Sequence, residues 1–282
     1  MDKNWKYFYN ELANKIVNFS WKEILNLTLE IENETWVNSN LWKDRVKIQC
    51  FDNFSFFANF NRRINSENRI KILEYLKNKF NLKNKVPTQF NWIPWVNNLQ
   101  SWFFGWKEKD VEILDELFYR VLENKDLWDL FDKALKIDNC ALTKLTSWLY
   151  WINADNFLPL DQFTLKYIEK ELNQRFNKKD IDYNKYLQIL KDVKNNIWDD
   201  FVEITYKAGE QWEEIQKEDL LFNIIQEIKR NHFFNDINIW TSNKTYFQLW
   251  FKWFDKINYY WAHFEVIKRK NKFKNRILVR QR

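Results

Sequence analysis

The sequence predicts a mainly α protein with an α+β C-terminal part: a helical domain over residues 1–212, then a helix and antiparallel strands over residues 213–282. Two patterns predict this class. Apolar residues recur every three to four positions through most of the chain before about residue 230, which is the spacing of amphipathic helices. After about residue 235, aromatic and β-branched residues alternate with a period of two, as in half-buried strands.

The helical domain is expected to be a series of helices separated by short polar breaks. The clearest covers residues 66–80, where Ile70 and Leu73 begin an apolar face. Either Asn65 or Ser66 offers an N-cap for this helix. The other helices are expected, in chain order, at residues 6–17, 110–122, 127–135, 142–152, 162–172, 183–193 and 219–229.

Two regions of the chain depart from this helical pattern. The connection over residues 83–109 holds two prolines, and loops of that length are commonly functional or pinned by their own side chains. Strands are expected over residues 246–251 and 259–266, with a third over residues 276–279. Three strands are barely enough to stand alone, so they must pack on helices, pair with another chain or continue in a longer protein.

The composition excludes several classes of site. Cys50 and Cys140 form no metal-binding or disulfide spacing, and two histidines supply a metal site or a catalytic triad poorly, so we expect no metal and no cofactor. No leader or membrane-spanning run is recognisable, which predicts a cytoplasmic protein without a membrane partner. The net charge of +6 weakly favours a polyanionic partner. The basic residues over 266–282 either track phosphates or form a solvated strand pair or tail.

Tryptophan and glycine occur in unusual proportions. The chain has 17 tryptophans and 2 glycines, whereas average usage would give about 20 glycines. Trp92, Trp95 and Trp198 fall in turn contexts where glycine is the usual residue. Residues with AT-rich codons are abundant, and some bacteria with such genomes read UGA as glycine. We therefore hypothesise that many of these tryptophans are glycines in the native protein; the alternative is a genuinely aromatic-rich chain.

Residues 131–167, FDKALKIDNCALTKLTSWLYWINADNFLPLDQFTLKY, contain two predicted helices around a short polar turn. This segment resembles a degenerate helix-hairpin-helix unit and the following loop and helix of helix-hairpin-helix DNA glycosylases. In such a hairpin, small residues allow a tight turn, and amides at the start of the second helix bind a phosphate. The resemblance places the hairpin tip at residues 139–141, and Thr143 and Lys144 in the first turn of the second helix.

A set of short phrases extends the resemblance over residues 50–208. They are FFANFNR (56–62), the helix and cap over 65–80, VPTQFNWIP (86–94) with asparagines at 97–98, SWFF (101–104), LYWIN (149–153) and FLPLD (157–161). This region is similar to the N-terminal recognition region of McrB-like restriction proteins, whose best-known member recognises modified cytosine in DNA. In relatives, positions like Trp92 and Trp148 hold glycine, whereas Trp102 and Trp151 match tryptophans.

The chain departs from McrB-like proteins in one respect. Their GTP-dependent AAA+ motor needs a phosphate-binding loop of the form GxxxxGK[ST], and this sequence has none, even if every tryptophan is read as glycine. We therefore expect a recognition module without the motor, as a separate subunit or a truncated reading frame. The resemblance implies double-stranded DNA as a partner, and a separate AAA+ motor and nuclease subunit as further partners in antiviral defence.

The predicted DNA-binding residues fall into two groups. The hairpin group is Asn139, Ala141, Thr143 and Lys144. Asparagine tolerates the left-handed conformation and alanine is small, so the chain can turn here and present backbone amides to a phosphate. The side chains of Thr143 and Lys144 are expected to donate to the same phosphate. Elsewhere, Arg62, Arg63 and Lys166 are expected to set the register on the duplex. The connection over residues 83–109 is expected to read the site.

Two other functions remain open. In a glycosylase-like enzyme, Asp161 of the FLPLD phrase would be the catalytic carboxylate that acts on an extruded base. The simpler interpretation makes Asp161 the N-cap of the helix that begins at residue 162. The second alternative is a non-enzymatic adaptor that binds proteins and has no salt-sensitive affinity for DNA.

Overall fold

A computed structural model describes residues 3–39, 50–62, 64–95, 107–197, 200–230, 236–243, 246–254, 259–269 and 272–281, with side chains up to residue 216. The chain divides into two compact units, Met1–Trp212 and Glu213–Arg282. The described part of the chain is mainly helical, as the sequence predicted.

The helices follow one another along the chain with short connections. They are α1 (Asn4–Ile16), α2 (Trp21–Thr35), α3 (Asn53–Phe60), α4 (Ser66–Phe80), α5 (Glu108–Leu122), α6 (Trp128–Ala134), α7 (Leu142–Ile152), α8 (Gln162–Glu171), α9 (Tyr183–Asn196) and α10 (Phe201–Arg230), with a short 3-10 turn at Lys178–Asp180. The sequence prediction omitted α2 and α3. It also placed only residues 219–229 of α10 in a helix.

Side-chain caps fix the starts of several helices, because an oxygen before the first turn accepts hydrogen bonds from otherwise unpaired amides. Ser20 and Glu23 form a reciprocal capping box at α2. The side chain of Asn65 accepts from the Asn68 amide and begins α4, which confirms one of the two predicted caps. Asp182 caps α9 in the same way.

The core of the first unit is built around α3, a helix whose residues are all buried. The ring of Phe54 stacks on Trp148 of α7 with centroids 5.4 Å apart. Tyr9 of α1 meets Phe57 and Phe60 edge to face. Because α3 is enclosed on every side, its sequence lacks the one-sided apolar pattern by which an amphipathic helix is recognised.

Two of the tryptophans in the described segments adopt the left-handed backbone conformation that favours glycine. Trp36, directly after α2, has φ of 57° and ψ of 24°, and Trp92, in the turn before Pro94, has φ of 64°. The Trp36 side chain is 92% exposed. Trp92 packs against Gly209 so closely that a Cβ added at Gly209 would lie 2.0 Å from the indole.

Among its described residues, the second unit contains four strands after α10. They are β1 (Asp236–Asn243), β2 (Tyr246–Phe254), β3 (Tyr259–Arg269) and β4 (Lys272–Gln281). Each strand pairs antiparallel with the next, in the order β1-β2-β3-β4. A register shift interrupts the β1–β2 ladder between Thr241 and Asn243.

Candidate nucleic-acid interface

A tight turn joins α6 to α7 at the predicted hairpin. Asn139 is exposed and has φ of 64°, the left-handed conformation that asparagine tolerates and that made the hairpin geometry possible in the sequence analysis. The next residue, Cys140, donates its amide to the Ile137 carbonyl at 3.0 Å and buries its side chain. Burial raises the pKa of the Cys140 thiol to about 12, so this group stays neutral and packs as a small apolar side chain.

The N-terminus of α7 lacks a side-chain cap. Ala141 is the N-cap residue, is exposed, and has the extended φ and ψ of −74° and 159°. Its carbonyl accepts the first helical hydrogen bond, from the Leu145 amide at 3.0 Å. Alanine has no side-chain oxygen to offer the first-turn amides, so Ala141 leaves these donors uncapped at the positive end of the helix dipole, which is the chemistry of an anion site.

Thr143 and Lys178 form a hydrogen-bonded pair beside this helix end. The Thr143 hydroxyl donates to the Leu160 carbonyl at 3.1 Å and accepts from the Lys178 ammonium at 2.9 Å. A hydroxyl has one hydrogen, so the predicted donation from Thr143 to a phosphate does not fit this arrangement. Lys178 brings a half-buried cation to the same place, and burial lowers the pKa of its ammonium against the opposing charge of Asp161.

Lys144 is drawn partly into the domain. Its Nζ lies 5.7 Å from the centroid of the Trp148 ring, and the side chain is half-buried. Burial lowers the pKa of Lys144, while the nearby Cys140 and Asp52 act in the opposite direction. The cation therefore sits at the base of the hairpin rather than on an extended surface arm.

The three residues expected to set register have different outcomes. Arg62 is 2% exposed, and its guanidinium donates to the carbonyls of Asn59, at 2.8 Å, and Asn38. The prediction that Arg62 contacts DNA is wrong because those groups hold it inside the fold. Arg63 lies outside the described residues. Lys166 is exposed on α8, with its Nζ 4.6 Å from the centroid of the Trp212 ring.

Asp161 begins α8, as the structural interpretation predicted. Its Oδ1 accepts from the amides of Phe163 and Thr164 at 2.9 and 2.8 Å. Burial raises the pKa of the Asp161 carboxyl, and the hydrogen bonds from those amides and the charge of Lys178 oppose the shift. Asp161 therefore has a structural role in capping, and it also lies within electrostatic reach of the hairpin cation.

The first part of the connection over residues 83–109, which was expected to recognise the DNA site, is anchored by contacts with the core. The Pro94 carbonyl accepts from the Trp151 indole at 2.9 Å, and the Phe90 ring lies 4.6 Å from the Arg69 guanidinium. This part of the connection is pinned by its contacts, which was one of the two roles expected for it. Residues 96–106 lie outside the described residues.

Two buried carboxyl groups at the start of α3 were not singled out from the sequence. Asp52 caps α3 by accepting from the Ser55 amide and hydroxyl at 3.0 and 2.5 Å. Asp115 of α5 accepts from the Asn53 amide at 3.0 Å. Burial raises the pKa of Asp52 to about 6 and, together with the charge of Asp52, that of Asp115 to about 7. In the sequence, the only signal is the Asp-x-x-Ser spacing of Asp52 and Ser55 before an apolar run, which indicates a helix cap at Asp52. Nothing in the sequence indicates Asp115.

Within the described helices, none is long and apolar enough to cross a membrane. Among the same described residues, no group of three His, Cys, Asp or Glu side chains is arranged to hold a metal ion. The first unit is a mainly helical domain in which the uncapped start of α7 lies beside Lys144 and Lys178.

The family described as "Domain of unknown function (DUF8425)" matches residues 5–213. This match covers most of the chain and nearly all of the first unit, so the protein belongs to the DUF8425 family. No curated protein matches the chain, and no solved structure matches it.

Proposed function

We propose that this protein is a DNA-binding recognition module of a McrB-like restriction or defence system, without the nucleotide-hydrolysing motor, and that it acts in the cytoplasm. The observation that carries the proposal is the hairpin before α7. A left-handed Asn139, an uncapped helix start at Ala141 and a cation at Lys178 are the parts of a backbone phosphate clamp.

In this mechanism, the first-turn amides of α7 hold one phosphate of a DNA duplex. Lys178 and Lys144 supply positive charge, and Lys166 on α8 extends the cationic surface. Such contacts position the protein and carry no base information themselves. Reading of the base or its modification is assigned to the connection over residues 83–109.

The proposal includes a helix-hairpin-helix classification of residues 131–167 and an α+β extension after residue 213. The positive charge of that extension over 266–282 would add non-specific affinity for the duplex. A separate AAA+ motor and a nuclease would complete the system, because this chain has no phosphate-binding loop.

Measurement of DNA binding across a salt series tests the proposal. Fluorescence anisotropy of labelled DNA would measure the binding of modified and unmodified duplexes to the wild type and to the Lys178→Ala and Lys144→Ala variants. Loss of one phosphate contact should weaken binding to both duplexes and make the slope of log K against log salt shallower by about 0.9. Lys71→Ala is the matched control, since Lys71 is an exposed lysine on α4, away from the hairpin.

The pattern of the slopes decides the outcome. Unchanged slopes for both hairpin variants would remove the hairpin from the interface. Folded protein that binds neither duplex at any salt concentration would contradict DNA recognition and leave the adaptor as the remaining function.

A glycosylase-like activity is the second candidate, and the raised pKa of Asp161 beside Lys178 favours it. Asp161→Asn separates this role from capping, because asparagine caps a helix as well as aspartate does. A glycosylase would lose formation of abasic sites in this variant while its thermal midpoint stays nearly unchanged. Equal product, or no product, from the wild type and the variant would exclude catalysis by Asp161.

A further inference from the structure

A polar pocket lies at the end of α7 opposite to the hairpin. Its volume is about 700 Å³, and α1, the segment after α4, the turn after α5 and the segment after α7 form its walls. Six asparagines line it: Asn10, Asn14, Asn84, Asn124, Asn153 and Asn156. The 11 residues of α7 separate it from the hairpin by about 16 Å. It is therefore distinct from the proposed phosphate clamp.

Hydrogen bonds fix the orientation of the asparagines on one wall. Asn153 donates its Nδ2 to the Val121 carbonyl at 3.3 Å and to Asn124 Oδ1 at 2.9 Å. Asn156 donates its Nδ2 to the same Asn124 oxygen at 2.9 Å. A carbonyl can only accept, so the atom of Asn153 that faces the Val121 carbonyl must be its nitrogen. The Asn124 atom that this nitrogen contacts is then the oxygen, and the Asn156 atom that contacts the same oxygen is a nitrogen.

The opposite wall is fixed in the same way. Asn84 donates its Nδ2 to the Tyr7 carbonyl at 3.3 Å and to Glu11 Oε2 at 2.7 Å. Asn10 donates to the Ile152 carbonyl at 3.2 Å, and Asn14 donates to the Asn10 carbonyl at 2.8 Å. The amide nitrogens of five of the six asparagines are thus used in the walls, while Asn124 contributes its oxygen as an acceptor.

The amide oxygens remain for a ligand. Within the part of the chain that the structure describes, the side-chain oxygens of Asn14, Asn84, Asn153 and Asn156 accept no hydrogen bond. Each amide oxygen can accept two hydrogen bonds. The pocket therefore offers a rigid set of acceptors and favours a ligand rich in hydroxyl and amino donors.

The charges of the pocket leave two cations available. Glu11 accepts from the amides of Lys83 and Asn84 at 2.7 and 2.9 Å, and Lys6 pairs with Asp155 at 2.5 Å. The exposed ammonium groups of Lys15 and Lys83 form no ion pair with any described residue, although the charge of Lys15 helps to lower the pKa of Glu11. They can neutralise an anionic group of the ligand.

Tyr7 supplies an aromatic surface at the same place. Its side chain is 53% exposed, although its ring is large and apolar. The Lys6 ammonium lies 5.1 Å from the centroid of this ring, and the exposed remainder of the ring is suited to stack on a planar base or on the face of a sugar.

We propose that this pocket binds a nucleoside monophosphate. The ribose hydroxyls and the amino group of the base donate to the asparagine oxygens, the base stacks on Tyr7, and the phosphate meets Lys15 and Lys83. A volume of about 700 Å³ lies within the 300–1,000 Å³ of typical small-molecule sites and accommodates such a ligand. This site is additional to the proposed DNA-binding function and does not depend on it.

Isothermal titration calorimetry of the full chain with AMP, GMP, CMP and UMP tests the site, with ribose 5-phosphate as the ligand that lacks a base. We expect saturable binding of at least one nucleotide below about 1 mM. Lys83→Ala should weaken this binding about tenfold by removing a phosphate contact, and Tyr7→Leu should weaken it about fivefold or more by removing the stacking surface. Lys85→Ala is the control, because Lys85 is also exposed but does not line the pocket.

The other outcomes overturn the proposal. Ribose 5-phosphate that binds as tightly as every nucleotide would identify a sugar-phosphate site instead. Absence of saturation by all five ligands, with circular dichroism showing folded protein, would exclude both. Equal affinities of Lys83→Ala, Tyr7→Leu and the wild type would place the nucleotide elsewhere. Salt-dependent DNA binding of the same variants, measured in parallel, separates failure of this site from failure of the hairpin.

Discussion

At the scale of single residues, burial determines the protonation of Asp52 and Asp115. Both carboxyl groups have an ordinary pKa of 3.8, which burial raises to about 6 for Asp52 and, with the neighbouring charge, to about 7 for Asp115. The folded protein therefore binds more protons at these groups than the unfolded chain does between about pH 4 and 7. Their joint contribution to the free energy of unfolding is greatest at the low-pH end of this window. It is lost as the pH rises through the folded-state pKa values of about 6 and about 7.

This gives a prediction for the pH dependence of stability. The thermal midpoint of the wild type should be higher at pH 5.5 than at pH 8, because protonation relieves the burial of two like charges. Asp115→Asn keeps an oxygen that can accept from Asn53, so it should remove most of this difference, a free-energy change of roughly 1–3 kcal/mol. Thermal denaturation at several pH values measures the effect. A pH difference of the same size in the variant would show that other groups cause it.

At the scale of the elements, the end of α2 carries a strained residue. Trp36 has φ of 57°, donates its amide to the Glu32 carbonyl at 3.0 Å, and leaves its side chain 92% exposed. The left-handed conformation costs a non-glycine residue roughly 1–2 kcal/mol. Glycine is the usual residue at this position after a helix. Nothing buried by the indole offsets this cost.

Trp36→Gly should therefore stabilise the protein by about 1 kcal/mol, since the loss of strain exceeds the extra entropy of glycine in the unfolded chain. Urea denaturation of the first unit within the full chain would measure the change. Trp36→Ala is the matched control, because alanine removes the indole but keeps the strain, and we expect it to leave stability nearly unchanged. An equal gain from alanine would assign the effect to the exposed ring, and a loss from glycine would contradict the strain.

The helix ends and the core helix show which elements a sequence reveals. The bounds of α4 agree with prediction because its apolar face is periodic and polar turns mark its ends. The bounds of α7 also agree, although nine of its 11 residues are buried. In α3 every residue is buried, so its apolar residues carry no periodic signal. The omitted α2 has a periodic face, with Ile24, Leu27 and Ile31 buried behind the Ser20 cap, and was predictable on the same grounds.

At the scale of the whole molecule, the sites depend on which segments the fold brings together. The hairpin is local in sequence, so its left-handed Asn139 and helix start could be predicted. Lys178 reaches Thr143 across 35 positions, and nothing in the sequence indicates that contact. Arg62 was misplaced because a charged residue in a sequence shows no sign of its burial. The asparagine pocket joins four separate segments and leaves no sequence motif.

The hypothesis that tryptophan codons were misread concerns the whole chain. The structure distinguishes a position that suits an indole from positions whose backbone conformation favours glycine. Trp151 is 1% exposed and donates its Nε1 to the Pro94 carbonyl at 2.9 Å, so tryptophan is suited to that position. Trp36 and Trp92 have φ of 57° and 64° and match glycine instead. The hypothesis therefore predicts a particular division among the tryptophans, not a uniform replacement.

Peptide mass spectrometry of the protein from its native source should find glycine at positions 36 and 92 and tryptophan at position 151. A coupled substitution checks the result in recombinant protein. Gly209→Ala should be destabilising beside Trp92, because the added Cβ would lie 2.0 Å from the indole, and should be tolerated when Trp92 is also replaced by glycine. Tryptophan at both left-handed positions in the native peptides would reject recoding. The strain at Trp36 and the close contact at Trp92 would then be properties of the native fold.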